Sequence, residues 1–193
     1  MTNREKILLA IKVNKPEVVP LPELSTFDYP DQDQLDVFTE KAKEIGCMVE
    51  VLEGEFTIDD LVRKHYPEAQ RIFCPMPECG LGNIASKTIN QPRDMLPLDL
   101  TILEGQLGVA ENGGIWVTES EMVHRVSPFI TEHLVLVLDR SKVVGNMHEA
   151  YEKIRIDETG FGVFIAGPSK TGDIEQALVM GAQAARSLLV VLI

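Results

Sequence analysis

Apolar residues near the amino terminus recur at the spacing of an amphipathic helix. Residues 4–13 place Ile7, Leu8 and Ile11 on one stripe. Three prolines within residues 14–23 then predict an extended linker, because proline forces the residue before it into extended backbone. We therefore expect a short helical, proline-rich arm at this end of the chain, and not a second domain.

The next segments alternate between helical and strand periods. Helices and short strands are predicted in turn over residues 33–45, 48–52, 57–66 and 71–74. We interpret residues 1–30 as the arm and residues 31–193 as a single α/β domain.

The carboxy-terminal half contains continuous apolar runs. Residues 133–138, 162–166 and 187–193 are runs of this kind, which are typical of strands buried on both faces of a parallel sheet. Helical spacing over residues 147–154 and 173–185 separates them. Strands that alternate with helices predict a doubly wound, mostly parallel sheet with helices on both faces.

Composition excludes several classes of protein. Hydrophobic residues make up 45% of the 193 residues, which is enough for a core and too much for a disordered chain. The formal net charge of −12 repels a phosphate backbone, so we expect no nucleic-acid partner. Because we find neither an apolar run long enough for a membrane span nor a signal-peptide pattern, we expect a cytoplasmic protein without a membrane span.

The three cysteines, Cys47, Cys74 and Cys79, form neither a disulfide framework nor a C-x-x-C pair. We interpret them as buried or loop thiols in a reducing compartment. The histidines and cysteines also lack the spacing of metal ligands, so we predict no metal site.

The segment G-P-S-K-T-G-D-I-E, at residues 167–175, follows one apolar run and precedes helical spacing. Its hydroxyl residues can cap a helix, and the free N–H groups of a first helical turn attract anions. Spacing alone leaves two interpretations open, a plain helix cap or an anion site at the carboxyl end of a strand. The second interpretation assigns ligand binding to Gly167, Ser169, Lys170, Thr171, Asp173 and Glu175.

The segment A-E-N-G-G joins two β-prone runs. Asn112 and Gly113 tolerate positive φ and predict a turn. Glu111, at the strand end beside this turn, is a candidate catalytic base or nucleophile, with Asn112 and Gly113 as candidate ligand-binding residues. A solvated acid in a hairpin turn is the other interpretation.

Residues 120–133 concentrate arginine and histidine with hydroxyl and carboxylate side chains. The guanidinium of Arg125 can form a fork on a substrate carboxylate, and His124 or His133 can transfer protons near neutral pH. We take Arg125 and His133 as candidate catalytic residues. The alternative is a polar loop before a buried strand, with His133 bonded to a backbone carbonyl.

These three segments, in this order, resemble the LUD domain family, and specifically its lactate-utilization protein C type. Residues 167–175 match the family's G-P-S-R/K-T-A/G-D-I-E at every position, and residues 133–137 match H-I/L-V-x-V. Residues 108–113 approximate a third family pattern that ends in A-D/E-T/N-G. The amino-terminal R-E-K-I-L-x-x-I-K is also similar, so the resemblance covers nearly the whole chain.

The resemblance implies a NagB/RpiA/CoA-transferase-like fold and a role in a multi-protein system that oxidises L-lactate to pyruvate. Iron–sulfur sister subunits would be the partners, because this chain has too few cysteines for an iron–sulfur cluster of its own. The implied ligand is a small carboxylate or phosphate-bearing molecule, and the sequence names no cofactor. Two alternatives stay open: an independent isomerase, CoA-transferase or cyclo-ligase that uses Glu111, and a non-catalytic assembly subunit.

Overall fold

The structure of the chain, a computed structural model, describes residues 1–20, 33–155, 160–172 and 178–193. Its helices and strands are, in chain order, α1 (Asn3–Val13), α2 (Gln34–Glu44), β1 (Met48–Val51), α3 (Ile58–His65), β2 (Ile72–Phe73), β3 (Leu100–Gly105), β4 (Leu107–Val109), β5 (Gly114–Thr118), α4 (Glu119–Met122), β6 (His133–Leu138), β7 (Val143–Val144), α5 (Met147–Lys153), β8 (Gly162–Ile165), β9 (Lys170–Gly172), β10 (Leu178–Met180) and β11 (Ser187–Leu192).

The central sheet is parallel and has the strand order β1-β11-β6-β3-β2. Two of its three inner strands, β6 and β11, are predicted apolar runs. Leu134 and Leu136 of β6 pack into one core, and Val135 and Val137 pack into another on the opposite face. Each of these side chains is at most 2% exposed. The predicted mostly parallel α/β sheet is therefore confirmed.

The two faces of this sheet are covered differently. Ile58, Leu61 and Val62 of α3 cover one face, while α2 and a second sheet cover the other. The strand order explains the difference. The connection from β1 to β2 crosses the sheet in one direction, and the later connections, from β2 to β3, β6 and β11, return in the other. Because crossovers between parallel strands are right-handed, the connection that contains α3 lies on the opposite face from the later ones. Helices therefore lie on both faces, as predicted, but on one face the second sheet packs beside the helix.

The second sheet is mixed and has the order β7-β4-β5-β8. β5 pairs antiparallel with both β4 and β8. The prediction that residues 162–166 form a strand of the parallel sheet is therefore wrong. β8 is a half-buried strand at the edge of the second sheet, and a side chain at Gly162 would overlap the ring of Trp116.

The predicted helix over residues 173–185 is also wrong wherever the structure describes that segment. β9 and β10 pair antiparallel, with Gly172 opposite Leu178, and no helix follows within residues 178–185. Residues 173–177 lie outside the described residues. Leu178 is 63% exposed and packs against no core. Because most helical stability in proteins comes from packing of the apolar face, the helical pattern alone does not stabilise a helix here.

The predicted amino-terminal helix is present as α1. Thr2 and Glu5 form a capping box at its start, in which each side chain accepts a hydrogen bond from the backbone of the other residue. α1 buries none of its residues, and Ile7 and Ile11 are each about 60% exposed. Within the described ranges, no helix has the length and apolar character needed to cross a membrane.

Candidate functional site

The glycines of the two predicted ligand-binding segments press against the end of α2. Gly113 and Gly167 both have positive φ, +66° and +83°. A Cβ atom on Gly113 would lie 2.9 Å from the backbone nitrogen of Ala42, and one on Gly167 would lie 2.8 Å from the carbonyl oxygen of Ile45. Backbone packing therefore explains both glycines without a ligand.

The side chains beside these glycines are also engaged within the protein. Asn112 Oδ1 accepts the N–H of Gly114 at 2.8 Å, which closes the predicted turn. Lys170 Nζ donates to the carbonyl oxygen of Ile45 at 2.5 Å, where a cation meets the negative end of the α2 dipole. Lys170 thus caps a helix end, whereas the sequence predicted that it would serve a helix start.

The predicted anion segment lies at the amino edge of the central sheet, meaning the edge where the parallel strands begin. The backbone N–H of Ser169 donates to Ala185, two residues before β11, at 2.8 Å. Gly167, Ser169 and Lys170 line a cleft of about 420 Å³ whose other walls are mostly apolar. The described part of the segment therefore offers no helix start to an anion.

Two of the predicted ligand-binding residues, Asp173 and Glu175, lie outside the described residues. Thr171 belongs to β9, where it pairs with Val179. Ligand binding by Thr171, Asp173 and Glu175 stays a prediction.

Glu111 holds the start of α5. Its Oε1 accepts the backbone N–H of Met147, the first residue of that helix, at 2.9 Å. A carboxylate at a helix amino terminus satisfies an otherwise unpaired donor and interacts favourably with the helix dipole. This contact gives Glu111 a structural role, and catalysis by Glu111 stays a prediction.

Arg125 pairs with a carboxylate of its own loop. Its Nε and a terminal nitrogen donate to the two oxygens of Glu119 at 2.7 and 2.9 Å, and its guanidinium lies 5.3 Å from the centre of the Phe161 ring. Glu119 follows β5, whereas Gly113 precedes it, so the length of this strand, about 13 Å, separates Arg125 from the glycine turns. The hydrogen bond from Arg125 also lowers the pKa of Glu119.

His133 lies in a hydrogen-bonded network at the amino edge. Its Nδ1 is 2.6 Å from Ser187 Oγ, which is in turn 2.9 Å from the hydroxyl of Tyr66. Arg186 approaches the other ring nitrogen at 3.4 Å and pairs with Glu132 at 2.8 Å. Burial and, after it, the charge of Arg186 lower the pKa of His133, so the imidazole is neutral at pH 7.

This network gives His133 a hydroxyl partner where sequence reasoning allowed for a backbone carbonyl. Sequence reasoning also missed Tyr66, Ser187 and Arg186. One signal was available: His133 and Ser187 each begin a buried apolar run, and first residues of neighbouring parallel strands pair when their registers match, as these two do. Tyr66 belongs to a distant segment and carried no such signal.

The carboxyl edge of the central sheet, where β3 and β6 end, has a different character. A cleft of about 560 Å³ opens there, lined by Gln106, Trp116, Ser141, Lys142, Lys153 and Arg155. Beside it, Val123 has φ +58° and ψ −44°, and the N–H of His124 bonds to the carbonyl of Met122 in a γ-turn. Such a backbone is strained for a β-branched residue. Sequence reasoning did not group these cations, because they follow different elements.

His124 belongs to this strained loop. Its Nε2 is buried and has no hydrogen-bond partner among the described residues. His124 packs near Phe73, with the ring centres 6.4 Å apart. Within the described ranges, no group of three or more His, Cys, Asp or Glu side chains is placed to hold a metal ion.

The three cysteines are free thiols. Cys47 and Cys79 are buried, and Cys74 is half-buried in the loop after β2. Burial raises the pKa of Cys47 to about 11, against the opposing influence of the Gly167 backbone and Lys170. The Cys47 thiol therefore stays protonated at neutral pH, as expected of a core residue.

A family model and two known proteins are similar to this chain. The model of the LUD domain matches residues 32–193. An uncharacterized protein of Neisseria meningitidis serogroup B is 31% identical over 99 residues, which cover 50% of this chain and 42% of that protein. The chain thus matches less than half the length of this curated relative.

A crystal structure of a DUF162 family protein from Deinococcus radiodurans has the same fold. The two structures superpose with a TM-score of 0.62 over 82% of this chain and 95% of the other, at 12% sequence identity. An identity this low supports the fold alone. The family model, which spans most of the sequence, supplies the assignment: the chain belongs to the LUD domain family.

Proposed function

We propose that this protein is a cytoplasmic component of a system that oxidises L-lactate to pyruvate, in which it binds a small anionic ligand beside iron–sulfur sister subunits. Membership of the LUD domain family supports the pathway. The cysteine count supports the division of labour, because three cysteines cannot supply the four thiolates of an ordinary iron–sulfur cluster.

One observation carries the anion-binding part of the proposal. Lys142, Lys153 and Arg155 line one cleft at the carboxyl edge, although the chain as a whole has a formal net charge of −12. Ligands of open α/β sheets bind outside the carboxyl ends of the strands, which is where this cleft lies. The geometry therefore favours this cleft over residues 167–175 as the place for an anion.

The pathway is tested by deleting the gene from its native host and measuring growth on L-lactate as sole carbon source. We expect growth on L-lactate to fail while growth on glucose is unchanged, and a plasmid copy of the gene to restore it. Unchanged growth on L-lactate, in a host without a second homologous gene, would contradict the proposal. Affinity purification of the tagged protein from lactate-grown cells should also recover an iron–sulfur protein.

A second candidate function is that of a non-catalytic assembly subunit, and α1 favours it. Ile7, Leu8 and Ile11 are each more than half exposed on a well-capped helix. Apolar side chains that a helix leaves exposed are typical of a surface that binds another protein. We take the iron–sulfur sister subunit as the partner of this helix.

The assembly role is tested by replacing Ile7, Leu8 and Ile11 with serine and repeating the affinity purification. We expect the iron–sulfur protein to be lost from the purified material. Lys6→Ser and Lys12→Ser change the same helix without removing apolar surface and serve as the control. Equal recovery with both variants would rule out α1 as the contact.

A further inference from the structure

The cleft at the carboxyl edge is formed by segments that are distant from one another in the sequence. Gln106 comes directly after β3, and Ser141 and Lys142 come shortly after β6. Trp116 of β5 forms another wall, and Lys153 ends α5. The fold thus assembles this cleft from distant parts of the sequence at the edge where α/β sheets bind ligands.

The two lysines of the cleft have spare capacity for an anion. Among the described residues, Lys153 has no ion pair, whereas Lys142 has one long contact of 3.5 Å between its Nζ and Oε1 of Glu104 and also attracts the Asp139 carboxylate electrostatically. Arg155 lines the same cleft but already interacts with another group, which leaves the two lysines as the cations available to a ligand. An ammonium group that lacks a close carboxylate keeps its donors for a ligand.

A second carboxylate beside the cleft, that of Glu121, is itself held by hydrogen bonds. Burial alone would raise the pKa of Glu121, but donors from Thr118, Ser120 and Gln106 outweigh burial and lower it. The Glu121 carboxylate is therefore ionised and bonded on the protein side, with Gln106 Nε2 2.9 Å away. This arrangement fixes Gln106 and Ser120 in place at the edge of the cleft.

The size of the cleft decides between the two kinds of anion that the family resemblance allows. A volume of about 560 Å³ lies within the range of pockets that hold cofactor-sized or drug-sized ligands. A three-carbon monocarboxylate would fill a small part of that volume and would neutralise only one cation. A ligand that bears one or more phosphate groups matches both the volume and the number of cations.

The walls of the cleft suit a larger ligand in two further ways. The Trp116 ring is held in place by Phe164, with the ring centres 4.7 Å apart, and offers a rigid apolar wall. The strained γ-turn at Val123 lies beside Ser120, which lines this cleft and the adjoining one. Strained backbone of this kind persists mostly at binding and catalytic sites.

We propose that the carboxyl-edge cleft binds a phosphate-bearing ligand through Lys142 and Lys153, and that L-lactate is not its occupant. This inference rests on the anion-binding part of the proposed function and is independent of the lactate pathway. The ligand is a phosphorylated cofactor or effector, and the pathway's own substrate binds elsewhere.

The inference is tested by titrating the purified protein with inorganic pyrophosphate, inorganic phosphate and L-lactate. Trp116 is the single tryptophan of the chain and lines the cleft, so its fluorescence reports on binding there. We expect a saturable change with pyrophosphate, a weaker response to phosphate, and none with L-lactate at the same concentrations. Isothermal titration calorimetry provides a second readout that does not depend on the tryptophan.

The Lys142→Ala, Lys153→Ala double variant should weaken pyrophosphate binding by about tenfold or more, because two charge-assisted contacts are lost. The Lys12→Ala, Lys87→Ala double variant makes the same change in net charge away from the cleft and should bind like the unchanged protein. Circular dichroism checks that all the variants are folded. Equal weakening in both variants, or no binding by either readout, would overturn the inference.

The two proposals can fail separately. Pyrophosphate binding in a protein whose deletion leaves growth on L-lactate unchanged would refute the pathway and retain the cleft. Loss of growth without pyrophosphate binding would do the reverse.

Discussion

The two edges of the central sheet treat polar side chains differently. At the amino edge, His133, Ser187 and Tyr66 bond to one another, and Lys170 is bonded to the end of α2. At the carboxyl edge, Lys142 and Lys153 line a cleft; among the described residues Lys153 has no ion pair, and Lys142 has a long contact of 3.5 Å with Glu104. A network that satisfies itself stabilises the fold and leaves few donors for a ligand, whereas cations without close partners add little stability and remain available for binding.

This difference shows that a cluster of polar residues can either stabilise the fold or be available to a ligand. The amino edge contains His133, Gly167, Ser169 and Lys170 of the predicted site residues, and the contacts described for them are internal to the protein. The carboxyl edge has the basic cleft and the strained turn at Val123. Polar residues that are prominent in the sequence can therefore serve packing, while the ligand site that we propose is composed of residues that look ordinary in it.

The largest expected effect is the loss of stability on replacing Gly167 with alanine. The new Cβ would require an unfavourable φ of +83° and would lie 2.8 Å from the carbonyl oxygen of Ile45. We expect the free energy of unfolding, measured with urea, to fall by about 3 kcal/mol. Gly172→Ala is the matched control, since nothing lies within 4 Å of its Cβ position. A change of about 0.5 kcal/mol or less in both variants would refute close packing as the reason for Gly167.

The next largest loss of stability is expected when the hydroxyl that joins the amino-edge network is removed. Ser187→Ala leaves the Tyr66 hydroxyl and His133 Nδ1 without their shared partner, and we expect a loss of about 1–3 kcal/mol in the free energy of unfolding. Tyr66→Phe in the same background should cost less than it does alone. Additive losses in this double-mutant cycle would show that the residues do not act as a network.

A smaller effect is the dependence of stability on pH through His133. Its pKa is lower in the folded protein, so the unfolded chain binds more protons once the pH falls below the usual histidine value of about 6.5. The neutral His133 side chain therefore contributes fully to the stability of the folded protein above a pH of about 6.5, the usual histidine value. This contribution is lost as the pH falls from there towards the pKa of His133 in the folded protein. Urea midpoints measured across pH 5 to 8 should decline less for His133→Gln than for the unchanged protein. Parallel curves for the two proteins would contradict this assignment.

The smallest change in the free energy of unfolding is expected for a substitution at the carboxyl edge. Lys142→Ala removes only an exposed contact of 3.5 Å with Glu104, and we expect the free energy of unfolding to change by about 0.5 kcal/mol or less. The same variant should nevertheless weaken anion binding. A large loss of stability would mean that this edge is as internally bonded as the amino edge and would remove the contrast between them.

Sequence patterns predicted the parts of the fold whose local signal agrees with their packing. Residues 133–138 and 187–193 are apolar without interruption, and only a strand buried on both faces satisfies such a run. α2 and α3 were predicted for a similar reason, because each presents one apolar stripe to the core. The same logic failed for residues 178–180, where three apolar residues at the end of a helical pattern lie exposed in a hairpin strand.

By itself, the sequence determined the family, the parallel core of the sheet and the tight turn at Gly113, because apolar runs and turn residues act through local backbone and burial preferences. Only the tertiary structure decided which polar residues meet. It placed the predicted anion segment at the amino edge, turned Lys170 towards the end of α2, and brought Lys142 and Lys153 to one cleft. The spacing of residues along a chain carries no information on such meetings, because they depend on strand order and on the edge at which each connection emerges.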